Sequence, residues 1–491
     1  AANASGGGAA VTSVGNSALL NRANSQYLSL SPASDGNLRT FTFSQWQYFG
    51  TEITGSDGFS GRLLCAGTGS GNGGRMEINY SDKRLIIFDN EGQSGGIRLK
   101  LDPLFHSDGS WHHFVIVIDT TNAVTVDRVR AYHNGERLPV DVSYANYYPA
   151  LNYQCINFNN ATDTNELGRD ARGLSRYSDG YIAETIFIDG QALGPESFGQ
   201  YDSTGLYWTP LTGNTIKALT FGTNGFYLDN TTNAQTDASG EGNNFTNNNT
   251  VVTTTNTPTN IEALNNSLVR GNVTFSNGNR TMVFAGGSYD TQPSTLVMPE
   301  GIGKWYCEYT NTTLASSSAY AIGDPAYPKM GTNDGGTIND NANGYSYNEG
   351  GTKVTNGSGS SYGSSWTSGD IIGIAYDAVN GSLWFSKNGT WQASATSAEI
   401  TAGTTTNAAF TGITGDKIFA AVVGSTGACT SNFAADDWNY TAPTNFVALN
   451  TTNIAAATTR TASDTNKYFQ TTTYEGNGAG QRVGAFQPFD N

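Results

Sequence analysis

Charge is what this 491-residue chain has least of: Asp, Glu, Lys and Arg together make up 13% of it, against roughly 25% in an average soluble protein. Basic residues are the scarcer sign, 25 Lys and Arg against 41 Asp and Glu, for a formal charge of −16. That balance repels phosphate backbones and anionic headgroups, which argues against nucleic acid and membrane surfaces as partners. No stretch approaches the ~18 consecutive apolar residues of a spanning helix, so no membrane insertion is expected. The opening AANASGGGAA carries neither the basic nor the apolar region of an intact signal peptide. Histidine is confined to His106, His112, His113 and His133, so a Ser–His pair or a His-based metal site cannot be assembled wholly from the later part of the chain. Cys65, Cys155, Cys307 and Cys429 fall two to each half. One disulfide per half and four buried thiols both remain open, and no C-x-x-C occurs.

Glycine (60 residues) and a visible excess of Asn, Thr and Ser stand where charge is missing, while 25 Tyr, 23 Phe and 8 Trp supply core mass. Aromatic and β-branched residues between Gly/Asn turns predict strands throughout. Phe41 to Trp46 alternates, placing Phe41, Phe43 and Gln45 on one face. Trp111 to Asp119 is apolar on both faces at its end. Arg128 to His133 runs into Asn134–Gly135, a strong hairpin signal. Tyr181 to Ile188 is a further strand. After an Asn/Thr-rich stretch from Thr231 to Asn260, strands resume: Lys304 to Tyr309, then Ile371 to Tyr376 and Ser382 to Phe385, punctuated by Asn380–Gly381 and Asn388–Gly389. The expected organisation is an N-terminal arm (1–14), a first sandwich (15–212), a linker or crossover (213–265), a second sandwich (266–447) and a C-terminal arm (448–491).

Three separated elements of the first module, Trp111–His112–His113–Phe114, Tyr132–His133–Asn134–Gly135 and the run from Asp179 to Ile188 followed by Ala192–Leu193 and Pro195–Glu196, resemble the laminin-G-like branch of the concanavalin A-like sandwiches. In the second module, Gly303–Lys304–Trp305–Tyr306–Cys307–Glu308, the run from Gly369 to Asp377, and Leu383–Trp384–Phe385–Ser386–Lys387–Asn388–Gly389 are similar to the paired strands of SPRY domains, with Cys307 where that family carries a bulkier residue. The order of the two modules, with Phe198–Gly199–Gln200 and Phe226–Tyr227–Leu228–Asp229 between them, looks like virion proteins of tailed, marine-type bacteriophages. The resemblance implies an all-β chain: two tandem antiparallel β-sandwiches, concanavalin A/laminin-G-like and then SPRY-like, with extended terminal arms.

Catalytic chemistry finds little support. Sandwich glycosidases need two carboxylates on one face, and Glu184 with Asp189, at odd spacing, predicts opposite faces. Gly69 to Gly74 matches G-x-G-x-x-G but leads into a strand rather than a helix, so it holds no phosphate. No catalytic residue is expected. No cofactor is expected either, except that calcium remains open through turn aspartates Asp57, Asp89 and Asp163. Loop aromatics beside amides suit sugar or protein recognition: Tyr144, Tyr147 and Tyr148 in the first module, Tyr345, Tyr347, Tyr362 and Trp366 in the second.

The sequence therefore predicts a non-enzymatic virion surface protein, a fibre, tail appendage or capsid decoration, that uses lectin-like modules for assembly and attachment to a host glycan or protein. It is expected to form a homo-oligomer and to bind other virion proteins or neighbouring subunits through the C-terminal arm, where Tyr468, Phe469, Phe486 and Phe489 stand isolated in polar sequence. The alternatives are a secreted cellular carbohydrate-binding or adhesion protein and, from the enzyme class, a polysaccharide depolymerase.

Overall fold

The computed structural model describes residues 14–50, 61–67, 73–79, 81–90, 95–106, 109–172, 176–202, 205–265, 273–284, 290–315, 318–325, 338, 341–423 and 426–457. They divide into two compact units, residues 1–260 with 276–278, and residues 261–275 with 279–491. Both are all-β and their strand pairings are antiparallel, as the sequence predicts.

In the first unit an eight-stranded sheet has Thr40–Phe49 at its centre, between Trp111–Asp119 and Gly180–Asp189. The seven-stranded sheet facing it runs from Thr246–Asn248 through Gly61–Gly67 to Ile97–Leu104. Alternation sends Phe41, Phe43, Phe114 and Ile116 into the core between the sheets, where they meet Leu64, Met76, Ile87 and Leu99. Asn134 and Gly135 close their hairpin with both φ angles positive (47° and 86°), as the right-handed twist of the flanking strands requires. His112 packs toward this core beside Phe49 and Phe105. Its neighbour His113 lies on the opposite face, stacked on Trp46 at 4.7 Å.

The eight-stranded sheet has a second apolar face, formed by Val115, Val117, Ile186 and Ile188 and covered by Phe198, Ile216, Phe221 and Tyr227. The chain that supplies this cover includes residues read from sequence as a linker, and that reading is corrected here. Gly213–Lys217 is a helix, and Phe226–Leu228 pairs with Gly180–Asp189. Thr246–Asn248 and Val252–Thr254 extend the two sheets by pairing with Tyr27–Leu30 and Ser17–Leu20. Ala234, Phe245 and Val251 are buried in the main core. Asn and Thr side chains in this stretch bond nearby backbone: Asn233 Oδ1 accepts from the amides of Gln235 and Thr236, and Asn247 Oδ1 from Val251. Polar composition here marks local turn chemistry, not solvation.

In the second unit one sheet carries Thr281–Phe284, Ala428–Asn432, Lys304–Thr313, Ile371–Asp377 and Ser382–Lys387 in that order, and the other carries Asp290–Pro293, Ile418–Val423, Ala319–Gly323 and Tyr345–Asn348, continued by Thr352–Thr355 and Ser358–Ser361. Trp305, Tyr309, Tyr320, Ile374 and Phe385 fill the space between them. A smaller cluster of Tyr306, Trp384, Trp391, Ile400 and Phe446 covers the outer face of the first sheet. The sandwich extends past residue 448, where the sequence reading begins an arm. Leu449 is buried, Glu262 bridges to Asn450, and Ile454 and Ala457 of the helix Thr451–Ala457 pack on the core. Tyr468, Phe469, Phe486 and Phe489 lie outside the described residues.

All four cysteines are free and buried. Burial pushes the thiols of Cys65 and Cys429 up to about 12. Among the described residues no helix is long and apolar enough to cross a membrane.

Candidate functional site

Strand Gly180–Asp189 is longer than its partner needs. Its register against Thr40–Phe49 shifts between Ala183 and Ile186, so that Glu184 and Thr185 together oppose Gln45. This is a β-bulge, and Glu184 takes up the left-handed backbone it demands, φ +47°, without being glycine. The side-chain phase inverts across it. Ile182 faces the main core, whereas beyond the bulge Phe187 does so, and Ile186 and Ile188 face the outer cover. Gln45, on the core side, donates to Thr185 Oγ1 at 3.1 Å.

The bulge delivers the Glu184 carboxyl beneath the outer cover, where Tyr227 O–H donates to its Oε2 at 2.5 Å. Glu184 and Tyr227 line a cavity of about 430 Å³ together with Thr212, Lys217, Asp229 and Thr231, and Val14–Gly15 complete its wall. Thr212 caps the helix Gly213–Lys217, accepting from Thr215 N. That short helix sets Lys217, whose Nζ donates to Asp229 Oδ2 at 2.9 Å. Asp229 Oδ1 accepts from both the amide and the hydroxyl of Thr231. Burial pushes the Glu184 carboxyl up to about 7; the Tyr227 hydrogen bond and Lys217 oppose this, and Asp229 adds to it. Burial would raise Asp229 as well, but its bonds to Lys217 and Thr231 hold it below the usual range. The cavity thus contains one ionised carboxylate already engaged and one protonatable carboxyl held apart from it. Asp189, the other carboxylate of this strand, accepts from Asn37, Asn159 and Asn224 at the strand end.

His113 is not a base in waiting. Trp208 Nε1 donates to its Nδ1 at 2.8 Å, its Nε2 lies 2.9 Å from Ser44 Oγ, and burial drives its pKa down to about 3, so the ring is neutral. His112 Nδ1 and His133 Nε2 share a hydrogen bond of 3.0 Å among aromatic rings.

The aromatic residues expected to bind a ligand are separated by the structure. Tyr147 is exposed and Tyr144 partly so. Both lie over cations, with Lys100 Nζ 4.1 Å from the Tyr144 ring and Arg98 reaching the Tyr144 hydroxyl at 3.0 Å and the Tyr147 ring at 5.9 Å. Tyr148 packs against the first core. In the second unit the expectation of loop aromatics is corrected: Tyr347 and Trp366 are buried, and Tyr345 and Tyr362 pack on the same core. Tyr347 donates to the Ser364 carbonyl and lies 5.6 Å from Phe385, while Trp366 stacks on Tyr320 at 5.2 Å. Tyr345 and Tyr347 lie on the strand Tyr345–Asn348 rather than in a loop.

Asp89 and Asp163, the calcium aspartates that the structure describes, share Asn157 as a donor. Asp57 lies outside the described residues. Asp89 is buried and accepts from Tyr153 O–H and the amides of Ile156 and Asn157, which engage both of its oxygens. Asp163 accepts from Asn157 Nδ2. Among the described residues no group of three or more His, Cys, Asp or Glu is placed to hold a metal.

Tyr227 and Asp229 were noted in the sequence only for the module-order resemblance, and Lys217 and Thr212 were not singled out. The one signal was Glu184–Thr185, a polar pair within the otherwise apolar run from Tyr181 to Ile188.

Residues 304–436 match the SPRY domain family, a module that mediates protein–protein interactions. No curated protein sequence matches the chain. Among solved structures, the chain is similar to the SPRY domain of human HERC1, at 14% identity over 33% of this chain and 92% of that one, with a TM-score of 0.25. Another human SPRY domain aligns at 15% identity over 31% of this chain and 91% of its own, with a TM-score of 0.23. Stonustoxin aligns at 14% identity over 35% of this chain, with a TM-score of 0.26, and the match spans 26% of the toxin chain. The second unit thus contains a SPRY-like binding module set in an all-β chain.

Proposed function

We propose that this chain is a non-enzymatic display and attachment protein of a virion surface, whose SPRY-like module engages a protein partner. The match of residues 304–436 to the SPRY family carries the protein-partner part of the reading. The cavity chemistry supports the absence of turnover: a retaining glycosidase needs two available carboxyl groups about 5–5.5 Å apart, whereas Asp229 is engaged on both oxygens by Lys217 and Thr231. The virion setting rests on the resemblance in module order and on a weakly charged surface, hydrated by amides and hydroxyls. Attachment to neighbouring subunits is assigned to residues 458–491, since the preceding helix Thr451–Ala457 belongs to the second sandwich.

Mass spectrometry of purified particles from the source, with immunogold labelling, tests the setting. The chain is expected on intact particles; its recovery only from cell wall or secreted matrix would overturn the reading. A chain ending at Ala457 is expected to keep its melting transitions and fail to incorporate. Release of reducing sugar from host polysaccharide by the purified chain would refute the non-enzymatic assignment.

A further inference from the structure

Glu184 combines three features that a purely structural carboxyl does not need. It is 5% exposed, it sits on a left-handed backbone that favours glycine, and its Oε1 has no hydrogen-bond partner among the described residues while the side chain lines the cavity. An unpaired carboxyl oxygen that opens onto a cavity can accept from a donor entering there.

The groups facing it define what that partner is. Tyr227, from the adjacent strand, donates to Oε2. Lys217, from the covering helix, is held by Asp229. Those two charges cancel, so the cavity is neutral when Glu184 is protonated and carries one negative charge when it is ionised. An anion would meet two carboxyl groups. A cation entering the cavity restores balance and supplies the N–H donors that Oε1 lacks, in the charge-assisted geometry that gives the strongest hydrogen bonds. Burial, and to a lesser degree Asp229, disfavours a negative charge at Glu184, which makes a positive ligand the natural trigger for ionisation. Thr212, Asn214 and the backbone at Val14–Gly15 offer polar contacts to the rest of the molecule.

We propose that the cavity beneath the outer cover of the first sandwich is a binding site for the primary ammonium group of a small polar molecule, with Glu184 Oε1 as its anchor. The assignment is independent of the protein partner of the second unit and goes beyond the proposed function.

The full-length protein can be titrated with glucosamine and, as its uncharged match, N-acetylglucosamine, followed by ligand-observed NMR and calorimetry. Glucosamine is expected to bind saturably near pH 7 and N-acetylglucosamine not to. Lowering the pH to 5 protonates Glu184, whose pKa is about 7, and cuts the ionised fraction from about one half to about one in a hundred, so affinity is expected to fall roughly 50-fold. Glu184→Gln is expected to abolish binding. Asn214→Trp, at an exposed position on the cavity wall, is expected to block it without changing the melting temperature, which separates occlusion from misfolding. Equal binding of the two sugars, binding indifferent to pH between 7 and 5, undiminished binding by Glu184→Gln, or no binding of glucosamine by the unaltered chain would each overturn the proposal.

Discussion

Replacing Glu184 by Gln should stabilise this protein at alkaline pH, although the side chain is buried and hydrogen-bonded. Gln is nearly isosteric with a protonated Glu, and its oxygen can still accept from Tyr227. The carboxyl ordinarily titrates at 4.5 and in the folded chain is pushed up to about 7, chiefly by burial. A group with a raised folded pKa binds its proton more tightly when folded, so its contribution to stability is fully present below pH 4.5 and is lost as pH rises through 7. The displacement from 4.5 to about 7, at about 1.4 kcal/mol per pH unit, amounts to about 3 kcal/mol. Glu184→Gln and the unaltered chain should therefore match near pH 4, while near pH 8 the variant should be more stable by up to about 3 kcal/mol. For a unit of this size that is a rise in melting temperature of roughly 6–12 °C. Differential scanning calorimetry of the full chain at the two pH values reads this out, and the transition that moves identifies the first unit. A variant less stable than the unaltered chain near pH 8 would refute the burial argument.

The second-unit aromatics should behave as core. Tyr347→Ala is expected to cost about 3–5 kcal/mol in denaturant unfolding, whereas Tyr147→Ala, at an exposed position, should stay within about 0.5 kcal/mol. Asp89→Asn would turn a donor toward the donors from Tyr153, Ile156 and Asn157 and should cost about 1–3 kcal/mol; millimolar calcium should leave the melting temperature of the unaltered chain unchanged, and a clear rise would restore the metal reading. The four thiols should resist alkylation in the native protein and all react after denaturation, since each is buried; labelling of any one in the folded chain would contradict its placement.

Strand content was largely legible because it rests on alternation and turn chemistry. Trp111–Asp119, Ile371–Asp377 and Ser382–Lys387 lie where the apolar runs predict them, and Asn388–Gly389 makes the expected turn with φ +48° and +75°. What was not legible lies where isolated apolar residues do the packing. Ile216, Phe221, Phe245 and Val251 follow no period of two or 3.6, yet each is buried, and the polar residues around several of them satisfy the backbone locally. The buried places of Tyr347 and Trp366 escaped the sequence for a related reason: Gly, Ser and Asn beside an aromatic flank core positions, Tyr347 on the strand Tyr345–Asn348 among them, as readily as a loop offering a ligand platform. The cavity was hidden because its only trace in the strand, the polar pair Glu184–Thr185 in a run apolar on both faces, does not by itself mark a bulge.

That last point bears on how the strand Gly180–Asp189 tolerates insertion and deletion. The residues before and after Glu184–Thr185 are set in opposite phases, and either phase on its own would read as a satisfactory buried strand. Losing one of the two residues would leave a single residue opposite Gln45 and let pairing with Thr40–Phe49 continue without interruption, with Phe187 still beside Phe43 in the core and Ile186 and Ile188 still outward. No charge would be stranded by that loss, so solvent does little to forbid it. The neighbouring strand keeps its contacts as well, with Phe226 beside Phe187 on one face and Tyr227 beside Ile186 on the other. The extra residue is therefore the difference between a plain three-layered sandwich and one with a carboxyl-floored cavity, and a single codon is enough to convert one into the other.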